Sequence, residues 1–111
     1  MRILALEREL PRPLYQNLRD LLREEAAIIW ELEKRGIIRE IWFTTPDHRA
    51  VIMLECAHAA EARQYLATLP LARTGLIDFT LLELCNYDGL ERLFATGAQP
   101  VATRPEEPPE Y

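Results

Sequence analysis

Apolar residues recur along this chain with two different periods, and the order in which the periods alternate restricts the fold more than any other feature. Residues 2–8, RILALER, are short and apolar enough for a strand, and LPRP at 10–13 ends it. LYQNLRDLLREEAAIIWEL, residues 14–32, has the period of an amphipathic helix. That helix is expected to run to about residue 35 and to stop at Gly36, a residue type that readily accepts the left-handed turn after a helix. IIREIWF (37–43) and RAVIMLEC (49–56) are rich in β-branched and aromatic residues, and TTPDH between them is a turn, so they predict a hairpin. HAAEARQYLATL (58–69) puts Ala62, Tyr65, Leu66 and Leu69 on one side of a second helix that Pro70 is expected to close. LIDFTLLELCNY (76–87) supplies a last strand after Gly75.

The order β-α-β-β-α-β predicts an α+β fold of the ferredoxin-like kind, four antiparallel strands with two helices on one face. Several strands are apolar on both sides: Leu4 and Leu6 oppose Ile3 and Ala5, and Ile41 and Phe43 oppose Ile38 and Trp42. A sheet covered on one face alone should be polar on the other, so the second face is expected to meet another subunit. Residues 1–96 form the expected domain. Residues 97–111 hold four of the eight prolines, Pro100, Pro105, Pro108 and Pro109, and read as a flexible tail.

With 111 residues, 49% of them hydrophobic and 28% charged, the chain has the composition of one ordinary globular domain. Its formal charge of -5, with basic residues scattered among acids, argues against a nucleic-acid partner, because phosphate neutralisation needs clustered Lys and Arg. No apolar run approaches the roughly 20 residues of a membrane span. MRILALERE lacks the sustained apolar core of a leader, which makes the cytoplasm the expected location. Cys56 and Cys85 show no CxxC spacing and are expected to be buried free thiols. His48 and His58, without patterned carboxylates or thiols, make a poor metal kit, so no metal is expected.

Glu25 is the residue that points to chemistry. On a helical wheel Leu14, Leu18, Leu21, Leu22, Ile28, Ile29 and Leu32 all fall within about 60° of it, which aims its carboxylate at the sheet among aliphatic side chains, while Trp30 faces largely away. Burying an ionised carboxylate alone costs several kcal/mol, so it must be paired, solvated in a pocket, or protonated. Pairing with Arg39 or Arg49 is one answer, and an opening to solvent is another. The third is a pocket in which desolvation lifts the carboxyl pKa towards the range suited to taking and returning a proton. His48 and Asp47 sit at the hairpin tip and have a smaller claim to reach a ligand. No nucleophilic triad, Gly-rich phosphate loop or paired catalytic carboxylates can be assembled, which leaves cofactor-free proton transfer or the binding of a small apolar ligand.

EARQYLATLPLARTGLIDFTLLELCNYDGLERLF (61–94) resembles the muconolactone isomerase family, in which a helix runs into TLPL, a short connection and a strand of the IDFTLLEL kind. REEAAIIWELEKRGIIREIWF (23–43) is similar to that family's first helix, Gly stop and following strand with its Trp. The resemblance spans roughly residues 1–95 and implies a dimeric α/β barrel, two sheets face to face, in some members assembled further into rings such as decamers. It also implies a cofactor-free proton shift that moves a double bond within an unsaturated lactone, with a small molecule as ligand. A first-helix carboxylate of the family falls at Glu25 and the strand Trp at Trp42, whereas FTTPDHRAVIML (43–54) departs from the isomerases' polar and aromatic hairpin. The expected site is therefore Glu25 as acid and base, with Arg39, Trp42, His48 and Arg49 around the substrate and Arg39, Arg49 or His48 as donor to an oxyanion. A non-catalytic binding or assembly module on the same barrel, and a cofactor-free monooxygenase of related type, are the competing readings.

Overall fold

The computed structural model describes residues 1–11 and 17–94. Its elements are β1 (Arg2–Glu9), α1 (Leu18–Lys34), β2 (Ile38–Phe43), β3 (Ala50–Glu55), α2 (Ala59–Leu66), α3 (Pro70–Arg73) and β4 (Ile77–Leu84), followed by a 3-10 turn at Gly89–Leu93. The four strands make one antiparallel sheet in the order β2-β3-β1-β4, the ferredoxin-like arrangement. Leu14 and the expected tail lie outside the described residues. No helix among those described is long and apolar enough to cross a membrane.

Glycine ends two helices by one device. Gly36 takes φ 74° and donates to the Glu33 carbonyl while Ile37 N–H reaches back to Leu32. Gly75 takes φ 80° and donates to Ala72 while Leu76 N–H reaches Leu71. Both are Schellman closures, in which a left-handed residue turns the last carbonyls inward and sends the chain straight into a strand. Pro70 differs from expectation. It does not close α2, which ends at Leu66, but opens α3 as its first residue, where a missing N–H is harmless. His58 caps α2, its Nδ1 accepting from Glu61 N–H at 3.2 Å.

The helices cover one face of the sheet. Ile3 and Ala5 of β1, Ala50, Ile52 and Leu54 of β3, and Ile77 and Phe79 of β4 point to that side and are buried with Leu21 and Leu32 of α1 and Leu66 of α2. Each such Leu, Ile or Phe contributes roughly 1.5–3 kcal/mol by leaving water. Strand β2 joins this face differently from the simple alternation. An irregular step between Ile38 and Glu40 leaves Arg39 unpaired, so Ile38 lies on the same side as Ile41 and Phe43 instead of opposing them. The opposite face carries Leu4, Leu6, Val51, Met53, Trp42 and Leu82, with no helix among the described residues across it. Cys56 is buried, while Cys85, expected to be buried, is exposed, and both thiols are free.

Candidate active site

Between α1 and the covered face of the sheet lies a cavity of about 640 Å³. Its walls are apolar. Leu22, Ala26 and Ile29 come from α1, Ile41 and Ile52 from the β2–β3 hairpin, and Ile77 and Phe79 from β4. The exposed residues Trp30, Glu33, Phe43 and His48 line it too, as do the acidic side chains Glu7 and Glu25.

Glu25 occupies the α1 stripe between Leu21 and Leu32 and is only 8% exposed. Its Oε1 accepts the Leu71 N–H at 3.0 Å. That donor is free because Leu71 follows Pro70 in the first turn of α3, before any helical carbonyl can take its N–H. The second oxygen takes no hydrogen bond from the described residues, and Glu25 lines the cavity. Burial pushes the Glu25 carboxyl above the usual glutamate range. The Leu71 hydrogen bond pulls it down and the charge on Glu7 adds to the rise. The charge of Arg73 also lowers it, but that guanidinium is engaged elsewhere, its Nη2 donating to Glu24 Oε1 at 3.0 Å.

Glu7 belongs to the site although sequence reasoning passed over it. It continues the line of Ile3 and Ala5 on the covered face, and strand alternation from those two core residues is the signal that places it there. Its Oε1 accepts Ala50 N–H at 2.9 Å, just past the last β1–β3 pair, Leu6 with Val51. The backbone N–H of Leu71 was a second participant that no side-chain pattern announces.

Of the residues expected around a substrate, the fold brings His48 to the same cavity as Glu25 and leaves three others outside it. His48 sits at φ 56° in the hairpin turn, and its ring stacks on Phe43 with centroids 4.2 Å apart and planes within 4°. Arg39 turns its Nε onto the Gly36 carbonyl at 2.8 Å, an exposed contact beyond the end of α1. Arg49 is exposed and lies 4.0 Å from Asp47 Oδ2. Trp42 is on the opposite face of the sheet, its indole N–H donating to Glu40 Oε1 at 3.1 Å. Neither Arg39 nor Arg49 pairs with Glu25, and among the described residues the carboxylate has a backbone donor and no ion pair.

An apolar cavity lined by a carboxyl group whose pKa burial raises has the parts for moving a proton on a bound carbon acid. No family model matches the chain, and no curated protein does. Solved structures do match. A muconolactone isomerase superposes on 89% of this chain and 98% of its own with a TM-score of 0.68 at 16% identity. A 5-chloro-2-hydroxyhydroquinone dehydrochlorinase from Burkholderia phenoliruptrix, solved in complex with 2,5-dihydroxybenzoquinone, covers 80% of this chain and 98% of its own with a TM-score of 0.56 at 17% identity. The chain has the muconolactone isomerase fold, and at these identities the likeness fixes the backbone plan alone.

Proposed function

We propose that this chain is a cofactor-free isomerase in which Glu25 shifts a proton on a small unsaturated lactone or carbonyl acid. The observation that carries the reading is a nearly buried carboxyl in the lining of an apolar cavity. In its ionised form Glu25 takes a proton from the carbon next to the unsaturated system, and the electron pair left behind spreads into a dienolate. The same carboxyl then returns the proton to the far carbon, which moves the double bond with no net loss or gain of atoms. His48 is the expected donor to the developing oxyanion, since it lines the cavity while Arg39 and Arg49 lie outside it.

The test is proton exchange and isomerisation of muconolactone and other unsaturated lactones, followed by NMR in deuterated water. Glu25→Gln keeps an acceptor for Leu71 N–H but cannot carry the proton, so turnover is expected to fall by about 100- to 10,000-fold while the fold survives. Unchanged turnover in that variant would overturn the reading. The position of Arg39 and Arg49 favours a second reading, a binding module that uses the same cavity without chemistry. Retention of a small molecule through purification, with no conversion, would select it.

The uncovered sheet face bears on the same proposal. Leu4, Leu6, Val51, Met53 and Leu82 form an apolar surface, and Trp42 on it is 63% exposed. The fitting cover is the same face of a second copy of the chain, giving a homodimeric α/β barrel.

A further inference from the structure

We infer that the ligand of this cavity is larger than one ring. Beside the reacting lactone or carbonyl acid it carries an apolar group of about six carbons, a chain or a second ring, held between α1 and the β2–β3 hairpin. The inference rests on the isomerase reading above and names the substrate class of the same site.

The cavity is built on a larger scale than a single ring. Its lining on α1 runs from Leu22 to Glu33, about 16 Å along the helix at ~1.5 Å per residue. Across the sheet it takes side chains from every strand in the order β2-β3-β1-β4, a width of three strand spacings or about 14 Å. A five-membered lactone ring is about as wide as one such spacing. In the liquid it fills roughly the volume of four waters at ~30 Å³ each, whereas the cavity holds about 640 Å³. The remainder would be water against apolar walls, and an apolar group on the ligand gains by displacing it.

The hydrogen bond from Leu71 fixes where the reacting end lies. It sets Glu25 beside α3, the helix that leads into β4, and β4 is the edge strand farthest from β2. The apolar group therefore extends across β3 to β2, where Ile52 and Ile41 are paired in register and Ile29 of α1 supplies the other wall. Leu22, Trp30 and Phe43 also line the cavity and remain 47%, 61% and 51% exposed, so each keeps apolar surface for such a group to cover. Each ligand methylene that leaves water here strengthens binding about fourfold.

The test uses γ-valerolactone and γ-decalactone, which carry a methyl and a hexyl group on the same saturated ring and have no double bond to move. NMR titration of the intact protein reads affinity and site together. γ-Decalactone is expected to bind at least about tenfold more tightly and to shift the methyls of Ile29, Ile41 and Ile52. Two variants change the wall at exposed positions of α1, outside the buried core: Ala26→Phe adds a ring to it and Trp30→Ala removes one. Ala26→Phe is expected to cost γ-decalactone at least about tenfold more than γ-valerolactone, and Trp30→Ala about threefold more. A smaller gain from methyl to hexyl in the unaltered chain, or γ-decalactone shifts confined to Leu4, Met53 and Leu82 on the uncovered face, would overturn the inference. So would equal losses for the two lactones in both variants.

Turnover of 5-methyl- and 5-hexyl-3H-furan-2-one separates this inference from the catalytic proposal, with kcat/KM expected to be at least about tenfold higher for the hexyl compound. Preference for γ-decalactone in the cavity with no isomerisation of either furanone keeps the ligand class and removes the chemistry. Glu25-dependent isomerisation with no gain from the hexyl group removes the apolar extension and keeps the chemistry.

Discussion

The two faces of the sheet are both apolar, yet they treat their carboxylates in opposite ways. On the uncovered face Glu55 meets the terminal ammonium and Arg2, and Asp78 meets the Phe79 N–H, Arg8 and, more distantly, Arg63, which hold both acids below their usual range. On the covered face Glu25 has no cationic partner among the described residues, and burial holds it above its usual range. Paired charges around an apolar centre are what an association surface needs, because they stay solvated at the rim while the centre dries. A buried carboxylate with no cation beside it among the described residues costs the fold stability when it ionises.

The largest expected effect comes from breaking the uncovered face. Leu82 is 44% exposed and sits among Leu4, Met53 and Leu84 on that side of the sheet. Leu82→Arg is expected to leave circular dichroism unchanged, because no helix among the described residues rests on it, and to weaken self-association by about 100-fold in sedimentation. Self-association of equal strength in the variant would assign the interface to some other surface.

The same contrast explains what the sequence could disclose. Strand alternation located both faces of β1 correctly, since Ile3, Ala5 and Glu7 differ from Leu4 and Leu6 by a period of two. It failed in β2, where the unpaired Arg39 resets the phase and no residue pattern marks the step. The helical wheel placed Glu25 correctly because α1 is regular from Leu18 to Lys34. Arg39, Trp42 and Arg49 were harder to place, because reaching a cavity depends on tertiary geometry: Arg39 follows the bulge and Trp42 lands on the other face. The Leu71 N–H was invisible, since backbone donors carry no sequence signature beyond the Pro70 that exposes one.

Removing the unpaired charge gives the next effect in size. Because the folded pKa of Glu25 is raised, the fold favours its protonated form, and this group's contribution to stability is fullest below the ordinary glutamate value. That contribution is lost as pH rises through the raised value. Glu25→Gln stays neutral throughout and keeps the Leu71 hydrogen bond. It is expected to be more stable than the parent by about 1 kcal/mol at neutral pH, with the gain vanishing in acid. Urea unfolding of both chains at about pH 7 and about pH 4 measures it. A variant less stable than the parent at neutral pH would mean that ionised Glu25 is held by a partner, which the unpaired side of the comparison denies.

The smallest effect is the most specific, because it asks whether the two cavity carboxylates sense each other. The charge on Glu7 raises the Glu25 pKa, behind burial as the leading cause. Glu7→Gln deletes that charge and leaves an oxygen for Ala50 N–H, so the burial of Glu25 is retained. Its carboxyl should then ionise at lower pH, and with Glu25 as the base the acidic limb of the exchange-rate profile should move down in pH with it. Carbon-13 titration of the Glu25 carboxyl reads the same shift without any substrate and separates an electrostatic change from lost binding. If the resonance moves down and the rate limb does not, another group limits the reaction. If neither moves, water in the cavity screens Glu7 from Glu25, and the acidic character of the covered face is a property of each carboxylate alone.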